Sequence, residues 1–167
     1  MLKKLVPNEN GLEKFVILTA GILAACLALS LTLGHFFSFA IPPSLSHKLF
    51  WVDRDTRKIA RGDYVNFIYS DKHTGDRPLP MIKIVVCDEG EILTVDSAKK
   101  YFCNGVYLGK AKDRALNGST LTNFVWNGPV PSGMILPMGE HKDSYDGRYY
   151  GFIKKAAVMN KAHPVFN

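Results

Sequence analysis

Residues 15–33 read FVILTAGILAACLALSLTL, and this stretch decides the architecture of the 167-residue chain. No Asp, Glu, Lys or Arg occurs from Phe15 to Ala40. A helix over residues 15–33 would be about 28 Å long, which matches the hydrocarbon core of a bilayer. The sequence has no second run of this kind. The pattern therefore predicts one transmembrane anchor over residues 15–40, after a tail of residues 1–14.

Two other interpretations of the apolar run involve cleavage. SFA at residues 38–40 has the small residues of a signal peptidase site, and LAAC at residues 23–26 resembles a lipobox. The apolar core of a signal peptide usually ends after about 7–15 residues. The residues after Cys26 stay apolar, whereas a lipoprotein normally continues in a polar tether. An uncleaved anchor is the favoured interpretation.

The charges around the anchor predict its orientation. Lys3, Lys4 and Lys14 precede it, which favours a tail in the cytoplasm and a C-terminal domain on the outer side. The net charge of +6 could suggest nucleic acid, but Lys and Arg alternate with Asp, as in residues 53–55. We predict a solvated mixed surface and no nucleic-acid partner. This orientation places residues 41–167 beyond the outer face of the membrane.

Short β-rich runs separated by turns fill the rest of the chain, and no helical period extends over ten residues. The hairpin dipeptide Asn104-Gly105 lies between two of these runs. We predict an all-β domain, as a partly closed barrel or a folded coil of sheets. The predicted strands are residues 63–69, 81–87 and 91–95, the hairpin 101–108, and residues 130–138 and 149–158.

Cys87 and Cys103 lie in or beside adjacent predicted strands, so they are compatible with a disulfide in an oxidising compartment. Two buried free thiols are the alternative. Metal binding is not predicted, because His141 and Asp143 have no further His or Cys at ligand spacing.

Two residues stand out chemically. Ser44 follows Pro42 and Pro43, which hold the chain extended just beyond the anchor and display the serine. Lys83 lies within the apolar run MIKIVV, where burial would lower the pKa of its amine. A neutral lysine can accept the proton of a serine hydroxyl. Taken separately, each residue also has an ordinary structural explanation. Ser44 fits a plain linker, and Lys83 fits an outward-facing position on a half-exposed strand.

Four segments together resemble the type I signal peptidase family (S26), and most closely its conjugative-transfer, TraF-type branch of pilin-maturation peptidases. They are PSL at 43–45 with LFW at 49–51, RGDYV at 61–65, MIKIV at 81–85 and MGEHKDSYDGRYYG at 138–151. WNGPVPSG at residues 126–133 resembles the approach to the last segment. The resemblance implies a signal-peptidase-like β-rich catalytic domain behind a single N-terminal helix. It also implies a location in the bacterial inner membrane, with residues 41–167 in the periplasm.

The resemblance also implies roles for individual residues. Ser44 corresponds to the nucleophile and Lys83 to the general base, while Ser144 orients the lysine amine. Asp146 and Arg148 fall on positions that hold the architecture of the site. No cofactor is implied, since a Ser/Lys dyad needs neither metal nor nucleotide.

The sequence departs from the branch pattern around the nucleophile. Ser46 stands where the branch usually has proline, so a second alignment makes Ser46 the nucleophile. Pro42 cannot offer a side-chain hydroxyl to the oxyanion, which leaves the Ser44 backbone N–H. Gly139-Glu140-His141 replaces the family's G-D-N, and the sequence suggests no role for it.

The implied activity is cleavage of a prepilin or similar membrane-inserted precursor, either with hydrolysis or with cyclisation. Its partners would be that precursor protein and the lipid bilayer. A general leader peptidase and a non-catalytic scaffold of a secretion channel are the alternatives.

Overall fold

The computed structural model describes residues 9–40 and 44–165, which divide into a helical unit up to Phe36 and a β unit from Phe37 onward. Helix α1 spans Glu9–Phe36. Its segment Gly11–Phe36 is 26 residues long with a mean hydropathy of 2.4, so it is long and apolar enough to cross a membrane.

The helix ends before the predicted anchor does. Strand β1, Phe37–Phe39, follows at once and pairs with a strand further along the chain. The aromatic residues of FSF suit a pleated, half-buried surface better than a helix continued without neighbours. The expected range 15–40 therefore includes three strand residues of the β unit.

Within its described residues, 37–40 and 44–165, the β unit has eleven strands, one helical turn α2 and one 3-10 turn. The strands are β1 Phe37–Phe39, β2 Leu49–Asp53, β3 Tyr64–Tyr69, β4 Leu79–Asp88, β5 Ile92–Val95, β6 Lys100–Cys103, β7 Val106–Lys110, β8 Gly128–Pro129, β9 Met134–Met138, β10 Ile153–Lys154 and β11 Val158–Pro164. Helix α2 spans Gly147–Tyr150 and the 3-10 turn spans Lys155–Ala157. The fold is thus an apolar N-terminal helix followed by a mostly β-sheet domain, as predicted.

Two antiparallel sheets make up this domain. The larger has the strand order β1-β2-β11-β3-β4-β9-β10, and the smaller has the order β7-β6-β5-β8. The hairpin at Asn104-Gly105 is confirmed, with both residues at positive φ between β6 and β7. Residues 149–158 differ from the single predicted strand, because Tyr149 and Tyr150 belong to α2. Asp146 caps that turn by accepting a hydrogen bond from the backbone N–H of Arg148.

The larger sheet curls strongly. In its strand order, β1 and β3 lie three positions apart, which is about 14 Å in a flat sheet. Yet Ser38 Oγ on β1 lies 3.4 Å from Asn66 Oδ1 on β3. The curl therefore brings β1 back over β3 and β4, and a small apolar cluster fills its interior. That cluster is Ala40, Phe50, Ile82 and Ala162.

Candidate active site

Lys83 occupies a core position of β4. Its directly paired residue on β3 is Val65, which is fully buried, and Val85 follows it on the same face. Only 4% of Lys83 is exposed. The apolar sequence of β4 explains this burial, because the strand runs through the middle of the larger sheet between β3 and β9.

Two serine hydroxyls contact the amine of Lys83. Its Nζ donates hydrogen bonds to Ser44 Oγ and, over 3.0 Å, to Ser144 Oγ. The two serine oxygens are 3.2 Å apart. These residues come from three distant parts of the chain, and the structure brings all three together. A hydroxyl in direct contact with a general base is the arrangement that activates a serine nucleophile, and an amine in its neutral form can be that base.

The surroundings of Lys83 favour its neutral form. Burial is the main cause and lowers the pKa of the amine to about 8, while the nearby charges of Asp146 and Arg148 act in opposite directions. Its two hydrogen-bond partners are neutral hydroxyls. At pH 8 about half of the Lys83 amines are therefore free to accept a proton.

A buried ion pair supports the segment that carries Ser144. Arg148 Nε and Nη2 donate to the two oxygens of Asp146 over 2.9 and 2.7 Å. Asp146 also accepts the backbone N–H of Gly139, and Arg148 donates to the carbonyl of His141. Both charged residues are at least 97% buried. The pair thus fixes the backbone of residues 139–141 beside the three polar groups.

Gly139 leaves no space for a side chain. A Cβ there would lie 2.2 Å from Ser144 Oγ and 2.8 Å from the carbonyl oxygen of Ser44. The next contact along the same segment is a hydrogen bond from His141 N–H to the Ser44 carbonyl. The absence of a side chain at Gly139 is therefore what lets the Ser44 and Ser144 segments approach each other.

Ser46 is held elsewhere. Its backbone N–H and its hydroxyl both donate to Glu140, over 2.6 and 2.5 Å, and Tyr64 donates to the same carboxylate. Burial opposes ionisation of Glu140, but the hydrogen bonds from Ser46 and Tyr64 outweigh it, so its pKa lies below the ordinary value. Between the two serines considered as nucleophile, the one in contact with Lys83 is Ser44.

A groove lies beside Ser44 and Lys83, between β1 and β4. Ser38, Phe39, Ser44, Asn66 and residues 79–83 line this β1–β4 groove, which has a volume of about 300 Å³. Strand β9 pairs with β4 only from Ile84 onward. Among the described strands, the stretch of β4 before Ile84 is therefore paired on its β3 side alone. This leaves a free backbone edge along the groove.

Cys87 and Cys103 form a disulfide, with Cα atoms 5.7 Å apart. It joins β4 of the larger sheet to β6 of the smaller one, on the same strand as Lys83. Cys87, Glu91 and Cys103 are also the His, Cys, Asp and Glu side chains that lie close enough to share a metal ion within residues 9–40 and 44–165. The disulfide removes both thiolates from that set.

His141 Nδ1 lies 3.7 Å from Asp143 Oδ2, and the other oxygen of Asp143 forms a salt bridge with Lys112 Nζ. Pro42 and Pro43, with the predicted extended approach to Ser44, lie outside the described residues.

The model of the signal peptidase family, peptidase S26, matches residues 13–166 of the chain. The chain belongs to the S26 signal peptidase family. It is therefore a serine protease of this family with an apolar N-terminal helix. Among solved structures it is similar to a signal peptidase I from Enterococcus faecalis V583, with 23% identity over 62% of this chain and 95% of that chain, and a TM-score of 0.40. None of the curated protein sequences matches it.

This S26 peptidase contains two polar residues near the site that sequence reasoning did not assign. The sequence predicts no role for Glu140, although an acidic residue shortly before Ser144 is evident in it. Asn66 interrupts the apolar strand YVNFIY at a position that proves to be 7% exposed. A polar residue at a buried strand position was the signal that could have identified it.

Proposed function

We propose that the chain is a membrane-anchored endopeptidase in which Ser44 is the nucleophile and Lys83 the general base. The contact of Lys83 Nζ with Ser44 Oγ, inside a site that lowers the lysine pKa, carries the proposal. Ser144 orients the amine through its own hydrogen bond. Asp146 and Arg148 hold the backbone around it.

The reaction proceeds by acyl transfer. Neutral Lys83 takes the proton of the Ser44 hydroxyl as Oγ attacks the scissile carbonyl, and the backbone N–H of Ser44 stabilises the oxyanion. The Lys83 ammonium then gives its proton to the departing amine as the C–N bond breaks. Lys83 next deprotonates the group that resolves the ester. Attack by water releases a carboxylic acid, whereas attack by the amino terminus of the substrate releases a cyclic peptide. In both cases the ester C–O bond breaks, and the Lys83 ammonium returns its proton to Ser44 Oγ.

The substrate binds as an added β-strand in the β1–β4 groove. The free edge of β4 before Ile84 supports this mode, because an extended peptide can pair with such an edge through its backbone. The peptide then runs towards Ser44, which lines the same groove.

The proposed substrate class is a prepilin or similar membrane-inserted precursor of a conjugative-transfer system. The motifs at residues 43–45 and 144–151, which resemble the TraF-type branch, support this choice. The proposed location is the bacterial inner membrane, with the β unit in the periplasm, where a disulfide such as Cys87–Cys103 is stable.

Two alternatives remain distinct from this proposal. A general leader peptidase would use the same residues on many precursors. A scaffold without activity would need neither a buried Lys83 nor its contact with Ser44, and both features count against it.

The experiment is to express the full chain in bacterial membranes with a candidate prepilin and to follow the precursor by mass spectrometry. We expect processing to stop in Ser44→Ala and in Lys83→Ala and to continue in Ser46→Ala. A product lighter than the linear peptide by one water would identify cyclisation. Processing that survives both Ser44→Ala and Lys83→Ala would overturn the proposal.

A further inference from the structure

The floor of the β1–β4 groove is polar in one place. Asn66 lines the groove at 7% exposure, and Ser38 lines it from the opposite strand. Asn160 on β11 is directly paired with Asn66 and shares its face of the sheet. Ile82 on β4 is the directly paired residue on the other side. A buried amide thus lies on the groove floor beside the apolar side chain of Ile82.

The hydrogen bonds of Asn66 leave capacity for a ligand. An asparagine amide offers two N–H donors and two acceptor lone pairs. Among the described residues, Nδ2 donates to Asn160 Oδ1 over 2.6 Å, and Oδ1 receives a long contact of 3.4 Å from Ser38 Oγ. One N–H and one lone pair of this amide therefore have no partner among the described residues. A buried polar group with unused capacity costs free energy unless something satisfies it.

The position of Asn66 relates it to the reacting groups. Ile82, its directly paired residue, immediately precedes Lys83 on β4, so the amide lies about one residue away from the contact with Ser44 along the strand. Lys83 itself is paired with Val65 and belongs to the opposite face. In a peptide strand added along β4, alternate side chains point into the curl. A peptide side chain that points into the curl just before the cleaved bond would therefore face the part of the groove that Ser38 and Asn66 line.

We infer that Ser38 and Asn66 form a specificity subsite that selects a small polar side chain, a hydroxyl or an amide, at one position upstream of the cleaved bond. Such a side chain accepts from the free Asn66 N–H and donates to its free lone pair. An aliphatic side chain of the same size leaves that amide unsatisfied. This inference rests on the proposed function, since the occupant is the substrate of the Ser44 reaction.

The test uses the full-length protein in detergent and synthetic alanine-rich decapeptides as probes. Each of the four positions before the cleaved bond carries in turn Ala, Val, Thr, Ser or Asn, and mass spectrometry identifies the bond cut and its rate. For the wild-type protein we expect one position at which Thr is cleaved about tenfold faster than its isostere Val. The other three positions should show no such contrast.

Two variants of Asn66 form a matched pair. Asn66→Val removes the amide and should abolish or reverse the Thr-over-Val preference at that one position, whereas Asn66→Ser should retain it. Ser38→Ala, in the short strand β1, should weaken the same preference. It provides the test of the subsite if Asn66→Val does not fold. Thermal unfolding of each variant checks the fold.

The outcomes separate the two proposals. Equal Thr and Val rates in the wild-type protein, or an unchanged preference in Asn66→Val and Ser38→Ala, would overturn the subsite while Ser44-dependent cleavage persists. Cleavage that is absent, or that survives Ser44→Ala, would overturn the proposed function and the subsite with it.

Discussion

Lys83 and Arg148 are two buried basic residues of the same site, but their pKa values shift in opposite directions. Both are at most 4% exposed. Arg148 forms two hydrogen bonds with the carboxylate of Asp146, while Lys83 contacts two serine hydroxyls. Burial opposes the charge of Arg148, yet its hydrogen bonds to Asp146 raise its pKa above the ordinary value. The pKa of Lys83 falls to about 8.

The difference lies in the partner rather than in the depth of burial. A carboxylate compensates a buried cation, so the Asp146–Arg148 pair keeps its charges and serves as a brace. Neutral partners leave the desolvation of Lys83 uncompensated, so its amine is ready to accept a proton. Three substitutions and two pH profiles test this contrast.

The largest effect should come from Lys83→Met, which keeps the length of the side chain and removes the amine. We expect cleavage of the precursor to fall by at least about a thousandfold, because the other described side chain in contact with Ser44 is the hydroxyl of Ser144, which is a poor base. Time courses of processing at equal protein concentration measure the loss. Lys154→Met, at an exposed position of β10, is the control and should process at the wild-type rate. Comparable rates for the two variants would refute the role of Lys83.

Arg148→Met should act mainly on stability. It leaves Asp146 buried without its partner, so the free energy of unfolding should fall by about 3–5 kcal/mol. Urea denaturation of the full chain in detergent measures this change. The double variant Asp146→Leu with Arg148→Met removes both charges and should recover part of the loss. A double variant no more stable than Arg148→Met would show that the pair contributes more than mutual compensation.

The stability of the protein should depend on pH through Lys83. Its folded pKa of about 8 lies below the ordinary value of 10.5, so the unfolded chain binds more protons between these values. The free energy of unfolding contributed by this residue should therefore rise by about 3 kcal/mol from pH 8 to pH 10.5. Tyrosines also titrate at the upper end, so the measurement is the difference from Lys83→Met. A difference that stays constant over this range would contradict the lowered pKa.

The rate should follow the neutral fraction of the same amine. Below pH 8 we expect kcat/KM to fall about tenfold for each pH unit, since the protonated amine cannot act as a base. Above pH 8 the rate should level off. Initial rates on one peptide substrate between pH 5.5 and 9.5 test the slope, and a midpoint near the ordinary lysine value would contradict it.

Glu140→Gln should have the smallest effect. Glu140 accepts hydrogen bonds from Ser46 and Tyr64, and so it holds the turn that follows Ser44. An amide has one acceptor oxygen in place of two, so we expect Ser44 to be positioned less firmly and kcat to fall about tenfold with little change in KM. Steady-state kinetics separate the two constants. Ser46→Ala keeps the backbone donor and should lose less, and a loss as large as that of Lys83→Met would instead favour Ser46 as the nucleophile.

The sequence was informative wherever one local segment carries the signal. The apolar helix, the strand around Lys83 and the hairpin at Asn104-Gly105 each depend on neighbouring residues, and all three are present in the structure. The resemblance to the family also pointed to Ser44 and Ser144, which lie within hydrogen-bonding distance of Lys83.

Features formed by distant segments were not predictable. Glu140 joins residues 46 and 64, and no local pattern relates these three positions. The sequence places residues 37–39 in the predicted anchor because the uncharged run continues through them. Their pairing with β2, a distant segment, is what makes them a strand. The polar floor at Asn66 likewise depends on the curl that brings Ser38 close to it.

The tight approach at Gly139 has a consequence for how this gene can vary. Every missense codon at this position encodes a residue with a Cβ, and that atom would lie 2.8 Å from the backbone oxygen of Ser44 and closer still to the Ser144 hydroxyl. The backbone oxygen of Ser44 cannot move away without displacing the proposed nucleophile itself. Random mutagenesis should therefore recover active clones with changes at the neighbouring positions 140–142 and none at position 139. Glycine at this one codon is thus a requirement for an active protein.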